Sequence, residues 1–291
     1  MKLVTQTEYA GIRLGEKRGV RLLCEAGYDG LDYSMFRMRG NPDFVLNTPG
    51  YKNHALALKE IADSYGVTFE QSHAPFPTAK DKDEKYNSEM LDTVKRSIEI
   101  ASLVGAKVII VHPVNFKKHK EEKNIELFRS LESTAEDFGV KIALENMWGR
   151  KKRKPQIIPS VCSDPDEFNR YIDILGNKNF TACLDIGHCG LVGIKADDFI
   201  RKMGSRITCL HIHDNNNKED SHTLPYMMDL DWQSILKALA DIYYSGNFTF
   251  EADNFIKSVP LDLLPDACRY MVATGRNMIK QIEDFKGNKN D

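Results

Sequence analysis

Along the chain, short runs rich in β-branched and aromatic residues alternate with longer segments whose apolar positions recur at three- and four-residue intervals. The runs are Lys2–Gln6, Gly30–Ser34, Val67–Ser72, Lys107–Val111, Lys141–Leu144, Phe180–Leu184, Ile207–Ile212 and Phe248–Phe250. Helical patterns lie between them over His54–Tyr65, Ser88–Val104, Ile125–Phe138, Asp166–Leu175, Ala196–Met203, Trp232–Tyr244 and about Pro265–Phe285. Gly27, Gly66, Gly105, Gly139 and Gly246 stand between a helical segment and the next strand. Glycine accepts the left-handed conformation that closes a helix, so these positions predict repeated helix–Gly–strand units.

Eight alternations predict either a closed (β/α)8 barrel or an open, doubly wound sheet. The 291 residues sit near the roughly 250 typical of the barrel. No Gly-x-Gly-x-x-Gly follows the first strand and no Gly-x-x-x-x-Gly-Lys-Ser/Thr occurs, so the phosphate cradles of open sheets are missing and no nucleotide cofactor is expected. The expectation is an α/β fold, a (β/α)8 TIM barrel, forming a single domain over 1–291. A C-terminal helix and short polar tail occupy about 262–291, and no linker rich in Gly, Ser or Pro divides the chain.

Composition removes several classes. The 40 Lys+Arg against 42 Asp+Glu give a formal charge of −2, which leaves no whole-chain polycation for nucleic acid or an anionic membrane. The 19 Gly and 11 Pro exclude collagen-like and disordered classes. No apolar run reaches the roughly 18 residues that span a bilayer, and the N-terminus lacks the long apolar stretch of a signal peptide; a cytoplasmic location is expected. The six cysteines include no Cys-x-x-Cys pair and are expected as reduced core residues.

The chemistry collects where strands end. The third to eighth runs terminate in Gln71-Ser72-His73, Val111-His112, Leu144-Glu145-Asn146, Leu184-Asp185-Ile186-Gly187-His188, Leu210-His211-Ile212-His213-Asp214 and Phe250-Glu251-Ala252-Asp253. Of eight histidines, only His54 and His119 lie away from these ends or from the loop after the seventh strand. In a barrel the strand C-termini form the working face. One histidine at a strand end is ordinarily structural. Six successive strands ending in His, Asp or Glu form instead a ligand set for a divalent metal, because so many ionisable groups are costly to crowd together without a cation.

The segments Leu-Glu-Asn at 144–146, Leu-Asp-Ile-Gly-His at 184–188 and His-Ile-His-Asp at 211–214 resemble those of the xylose-isomerase-like TIM barrels, a superfamily of sugar isomerases and epimerases, inosose-type dehydratases and endonuclease-IV-type apurinic endonucleases. The resemblance runs from about Val67 to Glu251. It implies a divalent metal (Mn, Mg, Co or Zn) on Glu145, Asp185, His211 and Glu251. His211 is chosen over His213 because the family places the ligand three residues before an acid, here Asp214; both histidines face one side of the strand, so His213 stays open as a further contact. The implied activity is a sugar or sugar-phosphate isomerase or epimerase that moves a proton next to a carbonyl through a metal-held enediolate. Glu145 and Glu251 would be its bases, and His188 would hydrogen-bond a substrate oxygen. Asn146 and Trp148 are the implied substrate contacts, Trp148 either stacking on the sugar or covering the barrel.

Two alternatives share the framework. One is a lyase, of the inosose-dehydratase or carbon–glycoside-cleaving kind. The other is an apurinic endonuclease with three zinc ions, for which His73, His112, His188, Asp220 and His222 supply counterparts to the remaining ligands. The chain also departs from the family. Pro225-Tyr226-Met227-Met228 precedes Asp231-Trp232 where Pro-Gly-x-Gly is common, and Asn217 stands where ketose 3-epimerases carry a substrate-binding Arg. The basic cluster Arg150-Lys151-Lys152-Arg153-Lys154 is either an anion grip or a solvated loop. A small-molecule sugar is the expected partner, nucleic acid and membrane are not, and homo-oligomerisation is left open.

Overall fold

The computed structural model describes residues 1–151, 156–176 and 178–287. Its strands are β1 (Leu3–Gln6), β2 (Gly30–Ser34), β3 (Thr68–His73), β4 (Val108–Val111), β5 (Lys141–Glu145), β6 (Trp148–Arg150), β7 (Ile157–Pro159), β8 (Phe180–Asp185), β9 (Ile207–His211) and β10 (Phe248–Phe250). Eight of them pair in the order β10-β1-β2-β3-β4-β5-β8-β9, all parallel. The ring closes between β9 and β10: Ile212 bridges Phe250, the Ile212 amide donates to Thr249 O at 2.9 Å and the Glu251 amide to Ile212 O at 3.1 Å. The fold is a (β/α)8 TIM barrel. Strands β6 and β7 form an antiparallel hairpin that rises from the end of β5.

The helices are α1 (Glu8–Leu14), α2 (Glu16–Ala26), α3 (Tyr51–Ser64), α4 (Glu84–Val104), α5 (Lys120–Phe138), α6 (Pro165–Leu175), α7 (Ile186–Leu191), α8 (Ala196–Met203), α9 (Trp232–Asp241) and α10 (Leu264–Gly287). Local chemistry fixes their starts: Asp83, Asp164 and Asp231 accept first-turn amides of α4, α6 and α9, which satisfies donors that a helix leaves open. Gly27, Gly66, Gly105 and Gly139 all have positive φ, as their positions predicted. Gly246 is different. Helix α9 stops at Asp241, Tyr243 takes the left-handed turn with φ 52, and Gly246 is required by space: a Cβ there would lie 2.6 Å from Thr208 O.

Period-two alternation sorts each strand. Leu144, Leu184, Leu210, Phe248 and Phe250 point outward into the main core shared with the helices. Ile110, Ala143, Cys183 and Cys209 point inward and form a small separate cluster in the barrel. Two residues further along β5, β8 and β9, the same inward face presents Glu145, Asp185 and His211. All six cysteines are buried and free. Among the described residues, no helix is long and apolar enough to cross a membrane.

Candidate metal centre

Glu145, Asp185, His211 and Glu251 each offer a donor atom, and these atoms lie within 4.8 Å of one another. All four residues are buried. His211 Nδ1 stands 2.8 Å from Glu145 Oε1 and 3.2 Å from Glu251 Oε2. Its other nitrogen, Nε2, is 3.2 Å from Asp32 Oδ2. An imidazole that gives its second N–H to a carboxylate has its tautomer and ring plane fixed, with the remaining lone pair aimed at the centre. Asp32 in turn accepts from Gln71 Nε2 at 3.0 Å, and Gln71 Oε1 accepts from the Thr249 hydroxyl at 3.0 Å. Gln6 Nε2 donates to Glu251 Oε1 at 2.7 Å.

Two further donor sets flank this one. His73 and His112 converge on Glu145, with Nε2 atoms 3.5 Å and 2.8 Å from Oε2. On the other side His188, His213, Asp220 and His222 form a group. His73, His188 and His222 share one device. Each has Nδ1 within 2.9 Å of a backbone carbonyl, of Ala74, Asn146 and Glu251 respectively, so Nδ1–H donates there and Nε2 is the nitrogen left to face the mouth. His188 Nε2 is 3.6 Å and His222 Nε2 3.1 Å from Asp220 Oδ2. The structure separates the two histidines that the sequence could not. His211 joins Glu145 and Glu251, whereas His213 Nε2 contacts Asp185 Oδ1 at 3.1 Å and its ring stacks on His222 at 4.0 Å.

The electrostatics are those of a tight acid–imidazole cluster. Burial alone would raise Glu145, but His211 and His112 hold it well below the usual carboxylate range. Glu251 is held down likewise by His211 and His222, and Asp220 by His222 and His188, each against burial. Burial opposes charging of His188, yet Asp185 and Asp220 push it up to about 10. His211 and His222 are also raised, against burial, with Glu251 contributing to both. Positive charge is what these carboxylates demand.

Other sequence-predicted residues fall around this centre. Trp148 sits half-buried on β6 and donates Nε1–H to Asp220 Oδ2 at 3.1 Å, with the Arg150 guanidinium 5.0 Å from its ring. With Phe76, Pro77, His112, Pro113 and Met147 it lines a cavity of about 250 Å³. The Asn146 side chain, assigned from the resemblance to substrate, is committed elsewhere: Nδ2 donates to Asp185 O at 2.9 Å and Oδ1 accepts the Asp185 amide at 2.7 Å. It braces the end of β8. Of the basic cluster, Arg150 and Lys151 are described, and 152–154 lie outside the described residues. Sequence reasoning gave no role to Gln6, Asp32 and Gln71, polar residues of strand runs; polarity at inward positions near a strand's C-terminal end was the available signal.

The residues present fit a divalent ion. Mixed imidazole and carboxylate donors suit borderline and hard cations, the histidines are oriented from outside the cluster, and Glu145 Oε2, His73 Nε2 and Asp220 Oδ1 are buried with no aligned hydrogen-bond partner.

Known proteins agree with this architecture. A D-psicose 3-epimerase of Enterocloster bolteae is 25% identical over 242 residues, 77% of this chain and 72% of that protein. A probable endonuclease 4 of Mycoplasmopsis agalactiae is 25% identical over 165 residues, 52% of this chain and 55% of that one. Among solved structures, a D-tagatose 3-epimerase-like protein superposes with TM-score 0.75 at 20% identity, covering 100% of both chains. The IOLI protein with a binding zinc atom superposes with TM-score 0.73 at 18% identity, covering 98% of this chain and 99% of that one. Residues 20–272 match the family model of these barrels, and the chain belongs to the xylose isomerase-like TIM barrel family.

Proposed function

We propose that this protein is a divalent-metal-dependent isomerase or epimerase of a sugar or sugar phosphate, working by proton transfer next to a carbonyl. The observation that carries the reading is the convergence of Glu145, Asp185, His211 and Glu251 within 4.8 Å at the barrel mouth, beside a cavity of about 250 Å³. That volume is just below the usual range of ligand pockets, roughly 300–1,000 Å³, and suits a small substrate. Relatives named as sugar epimerases support the substrate class.

Held by those four residues, a divalent ion supplies Lewis acidity that makes a C–H beside a carbonyl easier to ionise. The protein supplies the rest. Glu145 on β5 and Glu251 after β10 approach His211 Nδ1 from two sides, and their neighbouring imidazoles keep both ionised, so one removes a proton and the other returns it. Gln6 fixes Glu251, and Asn146 fixes the backbone of Asp185. His188, with Nδ1 bound to Asn146 O, presents Nε2 to a substrate oxygen or, with Asp220 and His222, to a second ion. Trp148 and Phe76 wall the cavity. Asn217 offers no guanidinium, so a 3-epimerase outcome that needs that group is not part of the proposal.

The test is exchange. With Mn²⁺ present, a panel of aldoses, ketoses and their phosphates in D₂O is expected to yield one compound that takes up deuterium beside its carbonyl. Glu145→Gln and Glu251→Gln each keep the fold and lower that rate by roughly 10²–10⁴-fold. Turnover without exchange, undiminished in both variants, contradicts the mechanism.

The two flanking donor sets favour one second reading, a three-ion phosphoester hydrolase like the endonuclease 4 relative. Three zinc ions per chain and metal-dependent nicking of abasic duplex DNA would establish it; fewer than three ions per chain and no nicking support the sugar reading.

A further inference from the structure

Asp214 is fully buried next to the metal centre, yet its carboxylate faces away from it. Oδ1 accepts the amides of Asn215 at 2.9 Å and Leu230 at 3.2 Å; Oδ2 accepts the Met228 amide at 3.1 Å and Trp232 Nε1–H at 3.0 Å. Four donors use the acceptor capacity of a carboxylate, so no lone pair is left for a cation. Its backbone is paired too, the amide to Thr223 O at 2.8 Å and the carbonyl to the Thr223 amide at 3.3 Å. One side chain therefore ties both ends of the segment 215–231 together.

What that segment carries is Asp220 and His222, and three of its residues adopt conformations that the chain does not favour. Asn217, His222 and Tyr226 have φ of 58, 42 and 72, and left-handed backbone at non-glycine residues persists only where surrounding contacts enforce it. Tyr226 is the clearest case. The Met227 amide bonds Leu224 O at 3.2 Å, which makes Pro225 and Tyr226 the middle of a turn whose third position normally requires glycine. The next residue but one, Met228, is bound to Asp214. With no glycine at that position, this chain enforces the turn through the carboxylate beneath it.

We infer that Asp214 is a positioning residue, a latch that sets loop 215–231 so that Asp220 and His222 stand opposite His188 and complete the second donor set. The inference rests on the metal-dependent reading above but concerns a different group of ligands, so the two fail separately. Loss of the ion held by Glu145, Asp185, His211 and Glu251 is read in His211→Ala. The latch is read elsewhere.

The experiment is calorimetric titration of the chelator-treated full chain with Zn²⁺, comparing wild type, Asp220→Asn, Asp214→Asn and the double variant. Asp220→Asn identifies the binding step that belongs to His188, Asp220 and His222. Asp214→Asn is expected to weaken that same step by about 10–100-fold, the usual cost of losing an outer support of a metal ligand. The other ion's affinity should stay within about threefold, and the double variant should match Asp220→Asn alone. Where Asp214→Asn does not fold, Trp232→Phe, which removes one of the four donors, is expected to weaken the same step by a smaller factor. An unchanged second step in the folded variants, additive losses in the double variant, or no Zn²⁺ step that responds to Asp220→Asn would each overturn the inference.

Discussion

His211 is oriented by a residue 179 positions away in the chain, Asp32, a pairing that no local pattern in the sequence marks. Replacing Asp32 by Asn keeps an acceptor but removes the charge that raises the basicity of the imidazole, so Mn²⁺ affinity is expected to fall by about 10–100-fold with the fold intact; unchanged affinity in a calorimetric titration would count against the supporting role. A second residue-scale expectation concerns Glu8, at the start of α1 beside the mouth. Burial and the nearby Asp253 carboxylate push its carboxyl from 4.5 to about 7, with Arg37 opposing. Because the folded value is raised, the folded state binds the extra proton, and the stabilisation this brings is full below about pH 4.5 and lost as pH rises through about 7. Glu8→Gln should therefore be more stable than wild type at pH 8, on the order of 2 kcal/mol, and scarcely different at pH 4. Chemical denaturation at the two pH values measures it, and a variant no more stable at pH 8 would refute it.

At the level of elements, what was legible followed from period and place. Strand runs that end one residue before Glu145, Asp185 and Glu251 and one residue after His211 pointed to these four, since barrel chemistry lies at strand C-termini. Helices α1 and α2 received no bounds from the sequence, although Gly27 marked where the second one ends. Gly15 separates them, and a Cβ on Gly19 would lie 2.7–2.8 Å from the Ala10 carbonyl; α2 does carry an apolar face, with Val20, Leu23 and Cys24 buried, whereas the 7 residues of α1 are too few to show a period. The link between hairpin and loop, Trp148 to Asp220, joins residues 72 positions apart and leaves no local mark. Glycine also decides how α7 meets β9. A Cβ on Gly187 would fall 2.0 Å from His213 Cε1, so Gly187→Ala must displace that ring from Asp185 and His222. The expected cost is about 1–3 kcal/mol of stability, with weaker metal binding, both readable by thermal unfolding with and without Mn²⁺; a variant that matches wild type in both would show that the ring is free to move.

Seen whole, the barrel gathers carboxylates and imidazoles from six strands into one mouth, an arrangement that a cation stabilises by neutralising it. Eight strand–helix alternations made the closed barrel readable, whereas the number of ions did not follow from sequence, because Glu145 is shared by two neighbouring donor sets while His188, His213, Asp220 and His222 form a set of their own. Metal binding should stabilise the fold by about 2.7 kcal/mol at a hundredfold excess over Kd. It should weaken as pH falls, since His211 and His222 hold their protons well above the ordinary imidazole range and must release them to bind an ion. The most direct test of the account is the metal content of the chain after equilibrium dialysis against Mn²⁺, measured for wild type, Asp185→Ala and His211→Ala, each checked for a folded barrel by circular dichroism. The account predicts at least one tightly held ion in wild type that both variants lose. Full occupancy in both variants would contradict it.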